Sequence, residues 1–158
     1  MRVAGPDDIP GVVRTSAGLS SEDGAARDPL RNADWPRLHA AQEYAKHVVN
    51  PDVLVLVADH DGAVVGHLLG SFQGESAMWV APRAYLISMY VMPAWRGQHV
   101  GSQLVERFTA WAKDKGAVQS RVTAYSGNEG AVRFYRRHGF SPLESTFAAD
   151  LQSEPSPG

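Results

Sequence analysis

The stretch Met89-Tyr90-Val91-Met92-Pro93-Ala94-Trp95-Arg96-Gly97-Gln98-His99-Val100-Gly101-Ser102-Gln103-Leu104 carries most of the information in this chain. Its start completes an apolar, β-branched and aromatic run from Ala84 to Met92, which reads as a strand. Pro93 closes that strand, having no amide hydrogen to offer a ladder. Beyond the turn, Val100, Leu104, Val105, Phe108, Trp111 and Ala112 form one stripe of an amphipathic helix, and Lys113, Lys115 and Gly116 suit its C-terminus. A helix start presents main-chain N–H groups without intrahelical partners and a partial positive charge, a natural seat for a diphosphate. Gly97 and Gly101 lack side chains that would hold an anion off the backbone, and Arg96 adds a cation. A plain strand-to-helix turn has the same outline, so at this level both readings stay open.

Two commoner phosphate loops do not fit. There is no G-x-x-x-x-G-K-[ST], which disfavours a P-loop nucleotidase. No G-x-G-x-x-G follows the first strands either, and the segment lies mid-chain, which disfavours a dinucleotide fold.

Working outward, Val53 to Ala58 is a continuous run of β-branched residues and leucine, typical of a strand covered on both faces. His60-Asp61-Gly62 reads as a tight hairpin turn, and Val64 to Phe72 as the returning strand. Gly74 to Arg83 is a loop with an exposed-looking Trp79. Toward the N-terminus, Arg2 to Ala4 suit a short first strand. Asp7 and Asp8 then precede Ile9, Val12 and Val13 at helical spacing. Ser16 to Asp34, rich in Ser, Gly, Asp and Pro, reads as a long loop. Trp35-Pro36 opens a helix through Leu38, Ala41, Tyr44, Ala45 and Val48. Downstream, Val118 to Tyr125 reads as a strand and Asn128 as the cap of a helix reaching His138. Phe140 to Leu151 then supplies one or two last strands. The expected class is α/β (α+β): a mixed, mostly antiparallel twisted sheet of six to seven strands with about four helices. Residues 1–151 form one domain, with 152–158 as a disordered tail.

The central stretch resembles the core motif of the GNAT superfamily of N-acetyltransferases. There a strand ending Tyr-Val-x-Pro leads into [RQ]-x-x-G-x-[GA] and a long helix. Tyr90-Val91-Met92-Pro93 matches the strand end, and Arg96-Gly97-Gln98-His99-Val100-Gly101 matches the loop except at His99, where the family usually has glycine. A side chain is costly there if the backbone takes positive φ. A second segment, Asn128-Glu129-Gly130-Ala131-Val132-Arg133-Phe134-Tyr135-Arg136-Arg137-His138-Gly139-Phe140, is similar to the family's N-x-x-A-x-x-[FY]-Y-x-x-x-G-F at every fixed position. The likeness covers residues 53 to 141 well and Arg2 to Val13 loosely.

The resemblance implies an acetyl-CoA-dependent acyltransferase acting on a primary amine by direct attack in a ternary complex. It implies a β-bulge that splays the fourth strand from the fifth, with the pantetheine arm between them. The backbone of Met89 and Val91, flanking Tyr90, would bond that arm as an added strand does. Arg96, Gly97 and the amides of Gln98, His99, Val100, Gly101 and Ser102 would hold the diphosphate. Asn128 reads equally as a contact to the cofactor arm and as a plain N-cap. Tyr135 is the expected general acid: a phenol with pKa near ~10 stays protonated at neutral pH and can donate to the leaving sulfur. Packing as a core tyrosine is its alternative.

No general base is assigned. Where relatives carry a glutamate, this chain has Tyr85 and Thr123. His67, Glu75, Ser88 and Tyr90 remain, beside a water relay or an amine that arrives neutral. The histidines lack metal-ligand spacing, so no metal is expected. Arg133, Arg136 and Arg137 read as a solvated face or as a contact to the 3′-phosphate. Glu22, Asp23, Asp28 and Asp34 would attract a cationic acceptor or simply solvate their loop. A non-catalytic acyl-CoA sensor is the competing reading.

Composition agrees. The chain has 158 residues, 44% hydrophobic and 20% charged, with a net charge of -2. That suits a globular enzyme and disfavours nucleic acid as a partner. There is no cysteine, hence no disulfide or thiol nucleophile, and no apolar signal core or membrane-length run. The expectation is a cytoplasmic protein without a membrane partner; monomer and homodimer both stay open, exchange of the last strands to make a dimer being common among relatives.

Overall fold

In a computed structural model describing residues 1–152 and 157–158, β2 (Val53–His60) and β3 (Ala63–Gln73) form the centre of the molecule. Both are buried along most of their length, because layers cover the two faces of the sheet. Asp61 and Gly62 both take positive φ (51° and 82°), the geometry a two-residue hairpin turn requires. The other strands are β1 (Arg2–Val3), β4 (Arg83–Val91) and β5 (Gln119–Val122). The spatial order follows the chain, β1-β2-β3-β4-β5. Every neighbouring pair is antiparallel except β4 and β5, which run parallel.

One face of the sheet carries Leu54, Leu56, Leu68, Ala84 and Leu86 against Leu104, Val105, Phe108 and Ala112 of α4 (Val100–Asp114). Helix α5 (Glu129–Arg137) joins this layer through Phe134 and Tyr135. The opposite face packs Val55, Val57, Val64 and Leu69 against Val12 of α1 (Ile9–Leu19) and Tyr44 of α3 (Ala41–His47). The alternation along β2 separates the two sets, since successive side chains point to opposite faces. Phe108 lies over Gly70, where a Cβ would come within 2.7 Å of its ring. No helix among the described residues is long and apolar enough to cross a membrane.

Three expectations need correction. The sheet has five strands, not six to seven. Residues Phe140 to Leu151 form no strand: Gly139 ends α5 at φ 88°, Phe140 bonds back to the Tyr135 carbonyl (3.0 Å), and residues 141–152 run exposed. Without a ladder to join, an apolar pattern does not become a strand. Ser16 to Asp34 is not one long loop either. Helix α1 continues to Leu19, a π-turn spans Ser20–Gly24, and α2 (Ala25–Arg27) adds a turn. Its Ser and Gly content suggested coil, but Ser21 bonds back to the Gly18 carbonyl (3.1 Å) and Arg27 pairs with Asp23 four residues earlier. The tail expected at 152–158 falls mainly on residues 153–156, outside the described residues. About four helices were expected; four have seven or more residues, beside the single turn of α2.

His67 sits fully buried in β3, and burial pushes its pKa down from 6.5 to about 4. The unfolded chain therefore takes up a proton that the folded chain refuses between those values. Stability is expected to be full above pH 6.5 and to fall toward pH 4 by up to about 3 kcal/mol from this residue. Urea unfolding across that range checks it, with His67→Gln expected to flatten the profile.

Candidate functional site

The site is made where β4 parts from its neighbour. In the pairing of β3 with β4, Leu69 faces Ser88 but Gly70 faces Leu86, so Ile87 is an extra residue in β4. It bulges outward and is 55% exposed. The parallel pairing of β4 with β5 ends at the same point, its last partners being Leu86 and Val122. A bulge bends the strand that carries it, and here the bend opens a gap toward β4's C-terminal end.

Main-chain groups on that stretch can be assigned to sides. Met92 N–H bonds the Val65 carbonyl (2.9 Å), and in the antiparallel register Tyr90 faces His67. Exchanging pairs alternate, so Tyr90 turns its main chain toward β3 while Met89 and Val91 turn theirs toward the gap. Consistent with this, the Val91 carbonyl accepts from Arg96 Nε at 2.8 Å.

The gap ends at the start of α4. The first main-chain bond of this helix runs from Gln103 N–H to the His99 carbonyl (3.0 Å), so the amides of Val100, Gly101 and Ser102 precede the ladder. Gly97 and His99 both have positive φ (74° and 61°) and turn the chain into the helix. His99 thus holds the left-handed conformation that the family's glycine would take freely. Gln98 folds back onto the Ala94 carbonyl through Nε2 (3.1 Å). Gly101 has a packing reason beyond anion access: a Cβ there would stand 3.3 Å from the Phe134 ring and 4.0 Å from Val91. Ser102 Oγ meets His138 Nε2 at 3.0 Å, and His138 Nδ1 donates to the Phe134 carbonyl (2.8 Å), which ties α5 to the start of α4.

Tyr135 lies beside Phe134 and Phe140 with ring centres 5.4 and 5.7 Å away. Burial, reinforced by the charge of Asp23, pushes its phenol up to about 12. Asn128 caps α5, its Oδ1 accepting from Ala131 N–H (3.1 Å), while its Nδ2 donates to Asp23 Oδ1 (2.9 Å). The cap reading is therefore met, and the same side chain ties α5 to the π-turn.

That π-turn is what sequence reasoning left as loop. Its Glu22 accepts from Tyr90 Oη and from Arg96 Nη2, both at 2.6 Å. These two hydrogen bonds, Tyr90 first and then Arg96, hold its carboxyl below the usual range. Burial and then Glu22 itself push the Tyr90 phenol up. Arg96 is thus held by Glu22 and Val91, with its guanidinium 5.2 Å from the centre of the Tyr90 ring. Of the four acidic residues noted in the sequence, Glu22 and Asp23 reach the site. Asp28 caps a local turn at Leu30 and Asp34 sits 3.6 Å from Arg37. Among the base candidates, His67 and Ser88 come together (3.3 Å) and Glu75 stays exposed in the β3–β4 loop. Trp79 in that loop is half-buried, with the Arg83 and Arg121 guanidiniums 3.8 and 4.9 Å from its ring centre. Arg133, at 3.8 Å from Glu129, and Arg136 stand on the exposed side of α5 beside a hollow of about 330 Å³ that Ser126 and Val132 also line.

A left-handed non-glycine residue costs roughly 1–2 kcal/mol, part of which the greater unfolded-state freedom of glycine offsets. His99→Gly is therefore expected to raise the thermal midpoint by roughly 2–4 °C. A calorimetric midpoint that stays put or falls would show that contacts of the imidazole outweigh the backbone strain.

Comparison with known proteins agrees with this geometry. Residues 23–140 match the Acetyltransferase (GNAT) family. A thialysine N-epsilon-acetyltransferase of Mus musculus is 29% identical over 98 residues, 61% of this chain and 56% of the relative, so the match spans little more than half of that protein. An aminoalkylphosphonate N-acetyltransferase of Salmonella typhimurium is 30% identical over 110 residues, 68% of this chain and 70% of the relative. Among solved structures, a tetramutant of a Bacillus halodurans protein superposes with a TM-score of 0.86 at 20% identity, covering 95% of this chain and 98% of that one. The aminoglycoside N-acetyltransferase AAC(6')-Iy in complex with CoA superposes with a TM-score of 0.75 at 16% identity, covering 96% and 93%. With the family matched across both sequence motifs and the gap between β4 and β5 formed as that fold requires, the chain belongs to the GNAT family of acetyltransferases.

Proposed function

We propose that this protein transfers an acetyl group from acetyl-CoA to a primary amine by direct attack in a ternary complex. The observation that carries this reading is the end of β4–β5 pairing at Leu86 and Val122, which leaves the main chain of Met89 and Val91 facing an open gap. A pantetheine arm carries amide groups that can bond such an edge as an added strand would. Beyond the arm, the amides from Gln98 to Ser102 and the dipole of α4 suit a diphosphate. Relatives acting on thialysine and aminoalkylphosphonate, and a fold neighbour solved with CoA, support the same reading.

The residues present fit this substrate. Main-chain donors from Gln98 to Ser102, beside the glycine turn at Gly97, would receive the anionic groups. Arg96 reaches the diphosphate by exchanging its bond to Glu22, which lies within the same cluster. Tyr135 is the general acid. Burial pushes its phenol up to about 12, so it is protonated at neutral pH and ready to donate. It hydrogen-bonds the sulfur as charge develops there and passes its proton as the C–S bond breaks. Catalysis then rests on orientation and proton placement, without a covalent intermediate on the protein.

Tyr135→Phe is expected to lower kcat by at least about tenfold while the Kd for acetyl-CoA stays within about twofold. Thiol release with thialysine, an aminoalkylphosphonate and an aminoglycoside reports the first, and calorimetric titration the second. Wild-type turnover on any of the three excludes a sensor-only role. Full activity of the Phe variant across the pH range removes Tyr135 from the mechanism.

A further inference from the structure

The face of the sheet covered by α1 and α3 holds a hydrogen-bonded chain that the proposed chemistry has not used. His67 is fully buried in β3; its Nδ1 lies 2.8 Å from Thr15 Oγ1 and its Nε2 3.3 Å from Ser88 Oγ. Ser88 is half-buried and follows directly on the bulge residue Ile87, where β4 has left β5.

The bulge is the reason Ser88 meets His67 at all. Leu86 points to the α4 face, with Leu54, Leu56 and Leu68. In an unbroken strand, residue 88 would share that face. The extra residue reverses the alternation, so Met89 and Val91 pack toward the α4 layer instead. Ser88 is thereby turned to the α1 face, together with Tyr90, whose hydroxyl bonds Glu22.

The direction of the hydrogen bonds follows from counting hydrogens. The Thr15 hydroxyl has one, and it stands 3.0 Å from the Val12 carbonyl and 3.3 Å from the Gly11 carbonyl, both pure acceptors. With its hydrogen spent there, Thr15 accepts from Nδ1–H of His67. Nε2 then carries the lone pair, directed at the Ser88 hydroxyl. Besides Thr15 of α1 and Ser88 of β4, Tyr44 of α3 meets the imidazole edge-on at 6.2 Å, and β2 contributes apolar Val57 opposite. Burial is the one influence that moves the imidazole's pKa.

We infer that Ser88, backed by His67, is the proton-accepting path for the attacking amine. This rests on the transferase reading above and fills its missing base. As nitrogen bonds the acetyl carbon, the carbonyl π pair moves onto oxygen. The nitrogen's proton passes to Ser88 Oγ while the Ser88 proton passes to His67 Nε2. The oxygen's electron pair then returns, the C–S bond breaks, and the sulfur takes the Tyr135 proton. The amine proton ends on the imidazole and the phenol proton on coenzyme A; both groups return to their starting state by exchange with solvent after the products leave. A buried neutral imidazole is a poor base toward a free ammonium ion, yet it suits the far more acidic nitrogen of a tetrahedral adduct. Acid and base thus approach the reacting carbon from opposite faces of the sheet.

Two measurements on the full chain test this. Nitrogen-detected NMR of the His67 ring at pH 7 is expected to show a neutral imidazole protonated on Nδ1; protonation on Nε2 instead would reverse the hydrogen bond to Ser88 and overturn the proposal whatever the activity. Ser88→Ala is expected to lower kcat at least about tenfold with the KM for acetyl-CoA within about twofold, and Ser88→Thr, which keeps the hydroxyl, to recover most of the loss. Ser88 rather than His67 is replaced because a buried histidine is more apt to disturb folding. Full kcat in Ser88→Ala discards the relay and leaves the transferase reading standing. Wild-type protein that releases no thiol with any amine discards that reading and the relay with it.

Discussion

The extra residue at Ile87 is the constraint on which the site depends. A strand paired on both edges spends all its main-chain donors and acceptors on its neighbours. By bending β4 after Leu86, the bulge frees one edge of it over Met89 to Val91, while the other edge stays paired with β3. The same residue inverts which side chains face which layer. Leu86 faces α4, while Ser88 and Tyr90 face α1. One insertion therefore both opens the sheet and turns the polar side chains of Ser88 and Tyr90 to the α1 face. Removing it would restore a continuous sheet and close the gap.

Polar contacts as well as apolar ones fasten the N-terminal layer beside that opening. Glu22 bonds Tyr90 and Arg96, and Asp23 bonds Asn128 and Arg27. These partners come from β4, the turn after it, α5 and α2, so two consecutive acidic residues of one π-turn join elements from across the chain. A π-turn places residues differently from a regular helix and is frequent at functional sites. Both carboxylates are engaged by partners within the protein, which fixes where they sit. The contacts are partly exposed, so each contributes little to stability; their consequence is position.

The sequence was most informative where the physics is local. The strand ending at Pro93, the Asp61-Gly62 turn, the stripe on α4 and the cap at Asn128 each follow from short-range chemistry, and each is found. The positive φ of His99 was signalled by a side chain in a glycine position. Legibility failed where the outcome depends on distant partners. Residues 141–152 have an apolar content that suits a strand, but whether they form one depends on a ladder they do not meet. Ser20 to Gly24 has a coil-like composition, yet long-range bonds from Tyr90, Arg96 and Asn128 hold it in a helical turn. The pairing of His67 with Ser88 was hidden for a sharper reason. Their contact depends on a one-residue shift in register, and no spacing along a single strand reveals that.

Two close approaches, both at glycine, bring the two helical layers onto the sheet beside the gap. A Cβ at Gly18 of α1 would lie 2.7 Å from the Tyr90 ring, and one at Gly101 of α4 would lie 3.3 Å from Phe134. The first lets α1 settle directly on the freed half of β4. The second lets α5 reach the start of α4, with Tyr135 packed on the α4 face of the sheet. A methyl group at Gly18 would force the Tyr90 ring or α1 to move, whereas one at Gly101 would press on the Phe134 ring more mildly. The proposed proton donor and the proposed proton acceptor belong to different layers, so their separation is fixed by how closely both helices approach β4. Gly101, which the sequence offered as an anion contact, is thereby as much a spacer as a binding residue.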